Sequence, residues 1–376
     1  MEITVLRDAL KSGLSFTERA CSKSTTLPIL QCVSLVAEKN KATLSATDLE
    51  MGIRYVILSK TESEGGVAVP SRFFSQLAGF LQESQISLSS SSAGVRIASK
   101  THDTLLKTMP LEDFPIIPSL QGDERALEID ARALCAGLAQ IVSLTGQTQG
   151  RPEISGVFFA FQGDALRLAA TDSFRLGEKT IPLPKNQEAG VSFILPQKTA
   201  RELCAILQDQ TGRIKIYAAS SQVLFDYAFS DPAKGVSAQV VSRLVEGEYP
   251  KYQDVIPGNF KTKIVLERNA LISHLRTASV FSGKLNDVLV SIDPKEQGVK
   301  IVTKNSEAGE HSSFISGDVT GEPLDISFNW KFFLDGASQF KAKDIEIGFA
   351  GEEAPALLKS AGTPEAYLYV MMPLRS

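Results

Sequence analysis

The sequence predicts an α+β protein made of three copies of one domain, each with two helices on an antiparallel sheet. Three observations carry that prediction. The stretch AATDSFRLG at 169–177 has an earlier, degenerate copy in ATDLEMG at 46–52, and Thr47 and Thr171 lie 124 residues apart. RDAL at 7–10 returns as ARAL at 131–134 and RNAL at 268–271, each opening a run with apolar residues at helical spacing. VAVPSRFFSQLAGFL at 67–81 returns as FILPQKTARELCAIL at 193–207 and ISFNWKFFLDGASQF at 326–340, each reading as a short strand, a polar or proline break and an amphipathic helix. A fixed period of this kind marks a repeated domain.

Taken in order, residues 2–6 alternate as a strand, and 7–24 read as a helix with Leu10, Leu14 and Ala20 on its apolar side. Strands follow at 30–37, 42–46 and 53–59, and Glu64-Gly65-Gly66 marks a hairpin break. A second helix is expected over 71–84, then strands near 86–90, 94–99 and 103–109. Residues 111–118 read as a linker, because their prolines disrupt helix and sheet alike. KTMPLEDFPIIP at 107–118 is answered by RLVEGEYPKYQDVIP at 243–257, so the expected domains are 1–118, 127–257 and 262–376. Later helices are expected at 132–147, 198–209, 268–286 and 330–343.

Hydrophobic residues make up 43% of the chain and charged residues 22%, an ordinary globular balance. No apolar run is long enough to cross a bilayer, and the opening strand, with Glu2, has no basic stretch followed by an apolar core. The expectation is a cytoplasmic protein without a membrane partner. Cys21, Cys32, Cys135 and Cys204 show no Cys-x-x-Cys spacing and are expected as buried free thiols in a reducing compartment.

The net charge of −4 argues against nucleic acid, but its distribution argues the other way. Lys and Arg outnumber Asp and Glu within the six expected helices, whereas acids dominate the remainder. With all helices on one side of their sheets, that side is positive and suits phosphates, binding them without regard to sequence. The plain alternative is that Lys and Arg favour solvated helix faces.

No catalytic machinery is legible. His102, His274 and His311 are too scattered for a metal cluster or triad, and neither a Gly-x-x-x-x-Gly-Lys loop nor a Gly-x-Ser-x-Gly elbow occurs. The pairs Asp48/Glu50 and Asp344/Glu346 could suit a metal-dependent nuclease, but surface acids on a solvated sheet account for them. Asp48 and Asp172, in equivalent Thr-Asp turns, are read as bonding nearby backbone amides. The expectation is a non-enzyme with no cofactor and no metal.

TLPIL at 26–30, ATDLEMGI at 46–53, ATDSFRLG at 170–177, LVEGEYPKYQDVIP at 244–257 and YLYVMMPLR at 367–375 together resemble the bacterial sliding clamp, the beta subunit of DNA polymerase III. The resemblance covers the whole chain in order. It implies DNA-clamp domains, a head-to-tail homodimer of six domains in a ring, and helices lining a hole for double-stranded DNA. Implied partners are the DNA polymerase III catalytic subunit, the clamp loader and other proteins with clamp-binding tails. By motif, the partner-peptide pocket would use Ile154, Thr171, Arg175, Leu176, Pro250, Val255, Val370, Met372, Pro373, Leu374 and Arg375, with Ala354 and Ala356 as further wall residues. The DNA-facing set is Lys23, Arg72, Arg151, Lys198, Arg201, Arg276 and Lys284. Leu106 on one side and Val280 with Phe281 on the other would close the dimer. Ser173-Phe174 stands where the family commonly has Gly-His, and Asp254 where it often has a basic residue, both beside the pocket. A clamp-fold scaffold without DNA retention is the alternative, and a two-repeat clamp needing three chains per ring fits less well.

Overall fold

The computed structural model describes residues 1–22, 26–119, 126–146, 150–184, 190–229, 236–362 and 366–374. Among the described residues the α-helices are α1 (Arg7–Thr17), α2 (Ser71–Phe80), α3 (Ala131–Ile141), α4 (Gln197–Leu207), α5 (Arg268–Ser279) and α6 (Trp330–Gln339). All begin close to where the sequence places them and all end earlier. The expected helix over 7–24 stops at Thr17, whose hydroxyl donates to the Gly13 carbonyl 2.9 Å away, and a single 3-10 turn covers Glu18–Ala20. The one expected over 268–286 stops at Ser279, and the chain turns at Gly283, whose carbonyl accepts from the Asn286 amide at 3.0 Å. Ser, Gly and Asn compete locally for backbone bonds, and that competition cuts the helices short.

Side-chain acceptors ahead of the first turn cap α5 and α6, whereas α1, α2 and α4 start without one. Glu267 accepts from the Asn269 and Ala270 amides at the start of α5, and Asn329 accepts from the Lys331 amide at the start of α6. On the inner faces, Leu10 and Leu14 of α1, Phe74 of α2 and Leu271 and Leu275 of α5 are buried. Gly13 lets α1 lie flat on its sheet, because a Cβ there would stand 2.4 Å from Leu44 Cδ1.

By packing, the chain divides into two compact units, Met1–Ala136 with Leu183–Val245, and Gly137–Pro182 with Glu246–Ser376. In the first, Met51–Ser63 is the central strand. One of its sides pairs with Lys41–Thr47, while the other pairs first with Ser237–Arg243 and then, further along, with Glu2–Leu6. The ladder continues through 85–91 and 94–98 to an open edge at Asp103–Leu106. Period-2 burial runs through it, as in Gln85–Ser91, where Ile86 and Leu88 are buried beneath exposed Gln85 and Ser87. The expected linker after Leu111 is pinned: Arg54 donates to the carbonyls of Ile117 and Pro118, and Ile117 is buried against Gly52.

In the second unit a sheet runs from 156–162 through 165–171, 175–182, 367–371, 356–360 and 344–349 to 262–267 and 318–321. Its neighbouring strands run antiparallel. A separate four-stranded sheet has Gly309–Ser316 at one edge and Leu324–Asn329 at the other. Helix α6 needs Gly336, since a Cβ there would lie 2.3 Å from the buried Tyr369 ring.

Of the cysteines only Cys32 is fully buried; Cys21, Cys135 and Cys204 are half-buried, all four being free thiols. No described helix is long and apolar enough to cross a membrane.

Candidate functional site

The turn at 171–175 is closed by its own side chains. Thr171 Oγ1 donates to the Arg175 carbonyl at 2.7 Å and accepts from the Ser173 amide at 3.1 Å. Asp172 Oδ1 accepts from the Phe174 and Arg175 amides, each at 3.0 Å. This is the backbone bonding expected of a Thr-Asp turn. It forces Ser173 to a φ of 77° and turns Phe174 out to solvent, 62% exposed.

Arg175 is turned inward. Its Nε donates to Asp172 Oδ2 at 3.0 Å and its Nη1 to Asp335 Oδ2 at 2.6 Å, while its guanidinium carbon lies 4.5 Å from the centre of the Phe332 ring. Burial disfavours the guanidinium charge, but Tyr369, Asp335 and Asp172 outweigh it, and the pKa is raised. Arg175 is thus a fixed cation in the wall.

Leu176 and Val370 face each other across the ladder, both buried. The Met372 amide donates to the Phe174 carbonyl at 2.8 Å, which holds the Met372 side chain at the mouth, 38% exposed. Opposite, a 3-10 turn over Tyr252–Val255 leaves Val255 half exposed. That turn is anchored by the Tyr252 hydroxyl, which donates to Glu178 Oε2 at 2.6 Å, and by Tyr249 stacked on Phe158 at 4.7 Å. Burial and then Glu178 push the Tyr252 pKa up, so the hydroxyl stays a donor.

These walls enclose a cavity of about 220 Å³. It gathers Thr171, Arg175, Leu176, Pro250, Val255, Val370 and Met372 from the expected pocket set. Ile154 is instead core, packed under Gly146. Pro373 and Leu374 are half-buried and do not line the cavity; the Leu374 amide donates to the Ser327 carbonyl at 2.8 Å. Arg375 lies outside the described residues. Ala356 is buried in its strand, while Ala354, half-buried, is absent from the lining as well. Ser173 and Phe174, expected beside the pocket, line it, and Lys251 and Tyr252 line it too, although the sequence reading did not name them. Arg151, expected toward DNA, also lines this cavity, with Nε 3.2 Å from Glu153 Oε1 and Nη1 3.4 Å from Ser173 Oγ.

Of the remaining basic candidates, Arg72, Arg201, Arg276 and Lys284 are exposed, and Lys23 lies outside the described residues. Lys198 is paired with Asp48, and nearby Arg19 Nη1 lies 3.0 Å from Glu202 Oε2, so part of the helix-face charge in the first unit is neutralised. Glu346, half of one carboxylate pair, is engaged by Lys359 at 3.2 Å and Lys263 at 3.6 Å. Leu106 stands opposite the buried Val95 and is half-buried, whereas Leu105 faces out at 54% exposure. Val280 is 70% exposed, and Phe281 stacks on His311 at 5.7 Å.

Fold and site together define a repeat-built binding protein: antiparallel sheets carrying helices, and a small apolar pocket bounded by a fixed cation. Comparison with known proteins agrees. Models of the DNA polymerase III beta subunit match consecutively, the N-terminal domain over 1–118, the central domain over 128–251 and the C-terminal domain over 253–375. The beta sliding clamp of Staphylococcus aureus is 27% identical over 386 residues, covering all of both chains, and that of Synechococcus elongatus is 25% identical, covering 100% of this chain and 99% of the relative. The solved DNA polymerase sliding clamp of Bacillus subtilis superposes with a TM-score of 0.93 at 25% identity, over 100% of this chain and 99% of that one. The DnaN sliding clamp of Bartonella birtlesii, solved bound to griselimycin, gives 0.90 at 27% identity over the full length of both. The chain belongs to the family of DNA polymerase III beta subunits, the bacterial sliding clamps.

Proposed function

We propose that two copies of this chain close head-to-tail into a six-domain ring around duplex DNA and tether replication and repair proteins to it. The observation that carries this reading is a pair of dissimilar open edges. One, at Asp103–Leu106, carries Leu105, which is 54% exposed. The other, at Gly309–Ser316, accompanies Phe314, Val280 and Leu285, which are 46%, 70% and 77% exposed. An unpaired strand flanked by apolar side chains needs a partner. Two unlike edges on one chain suit a heterologous contact that closes after two copies.

In the ring, Arg72, Arg201, Arg276 and Lys284, together with Lys23, supply weak, sequence-blind contacts to phosphates, so the clamp slides. Lys198 contributes only when Asp48 releases it. The pocket at Arg175, Val255 and Met372 takes tails of the polymerase catalytic subunit, the clamp loader and other clamp-binding proteins, each inserting an apolar anchor. The protein itself is non-catalytic and works in the cytoplasm.

Light scattering together with retention on circular DNA tests this. The expected mass is twice 40.6 kDa, and loaded protein should stay on a closed plasmid and leave on linearisation. Reversing Lys23, Arg276 and Lys284 to Glu should shorten retention roughly tenfold at unchanged mass. Retention that survives linearisation, or that the triple variant leaves unaltered, refutes the reading.

A further inference from the structure

The turn that organises the pocket occurs twice, and the second copy is reproduced bond for bond. In the first unit Thr47 Oγ1 donates to the Met51 carbonyl at 2.8 Å and accepts from the Leu49 amide at 3.0 Å. Asp48 Oδ1 accepts from the Glu50 and Met51 amides at 3.0 and 2.7 Å. Leu49 has a φ of 77°, the same as Ser173. The neighbouring strand follows suit: Gly52 pairs with Val241 as Leu176 pairs with Val370, and the Arg243 amide donates to the Glu50 carbonyl at 2.9 Å as Met372 does to Phe174. The segment 115–118 closes the far side, as the segment 250–255 does in the other unit, around a cavity of about 120 Å³.

Two apolar side chains of this copy stand in solvent. Leu49 holds a left-handed backbone that a leucine adopts only at a cost, yet its side chain is 46% exposed. Ile116, on the opposite wall, is 94% exposed. The rim also differs from the first pocket: Glu50 replaces Phe174 and Arg243 replaces Met372. Both are exposed, and among the described residues neither side chain has a hydrogen-bond or ion-pair partner.

We propose that this is a second docking site, for an extended peptide tail of a partner protein in which one aliphatic residue is flanked by a basic and an acidic residue. The aliphatic anchor enters between Leu49, Ile116 and Val241, and the flanking charges meet Glu50 and Arg243. The assignment rests on the peptide-binding reading of the equivalent pocket, and it makes the two sites selective for different tails: Phe174 and Met372 stand at the rim of one where Glu50 and Arg243 stand at the rim of the other.

The test uses the full chain labelled with ¹³C at Met and Ile methyls and the probe peptide acetyl-Gly-Lys-Leu-Glu-Gly-amide. The Met51 and Ile117 methyls should shift saturably, with a Kd of about 1 mM or tighter. Arg243→Glu should weaken that Kd about tenfold, and Leu49→Asp should abolish the shift. Asp tolerates a positive φ better than Leu, so this second variant keeps its fold. Met51 and Ile117 signals unmoved up to about 5 mM, or moved equally in Leu49→Asp, overturn the proposal. Met372 reports on the other pocket independently, so its response to a peptide with a Leu-Phe anchor separates failure of this site from failure of the reading beneath it.

Discussion

Replacing Val255 and Met372 by alanine should cripple tail binding while sparing the fold. The two side chains form the mouth of the pocket and are 50% and 38% exposed, so a docked anchor can remove that fraction of each from water. Burying such a side chain completely is worth roughly 1.5–3 kcal/mol. The two exposed fractions, less what the alanine methyls retain, amount to about 1–2 kcal/mol, or roughly a 5- to 30-fold rise in Kd. Stability should change by less than about 1 kcal/mol, because neither side chain makes a polar contact and the Met372-to-Phe174 bond belongs to the backbone. Fluorescence anisotropy with a labelled Leu-Phe peptide measures the first quantity and urea denaturation the second. A Kd within twofold of the parent's in a folded variant would falsify the placement of the anchor.

Tyr252→Phe should separate stability from binding. It keeps the ring that lines the pocket but leaves the buried Glu178 carboxylate without its donor, a loss of about 1–3 kcal/mol visible as a lowered Tm at peptide affinity within about twofold; an unchanged Tm contradicts the role given to that bond. Stability should also fall as pH rises above 9. Burial, and then the neighbouring Cys135, push the Cys204 thiol from its ordinary 9.0 to about 12. The unfolded thiol therefore ionises while the folded one stays protonated, and the stabilisation present below pH 9 is lost progressively toward pH 12. Cys204→Ser should show a shallower decline in urea midpoints between pH 8 and 10.5 than the parent, and equal slopes would exclude the effect.

The fold was legible wherever local chemistry repeats. The 124-residue spacing of the Thr-Asp turns, the alternation in strands such as Gln85–Ser91 and the apolar faces of α1 and α5 are all properties of short stretches, and each is present in the structure. Helix ends were less legible, because hydroxyl back-bonds such as that of Thr17 decide them. Side-chain partnerships across the chain were not legible at all. Lys198 reads from sequence as a free cation, yet it meets Asp48, which is 150 residues away and reads from sequence as a turn former or a surface acid paired with Glu50. Leu106 and Leu105 differ by one residue, and only the register against Val95 and Arg96 reveals which of them faces out. The pocket was visible as motifs, but the roles of Phe174 and Tyr252 required the turn that exposes one and the Glu178 bond that anchors the other.

The strand Met51–Ser63 has a consequence for how such a molecule can arise and be taken apart. Along one side it gives its first half to a strand from the next repeat and its second half to the chain's own first strand. A single repeat cut out by gene surgery would carry half of a ladder with no mate, and would expose the sticky backbone that the intact protein never shows. Repetition in the sequence is therefore not a list of detachable parts. Once the copies shared that strand, losing one of them stopped being a small deletion and became the loss of a fold.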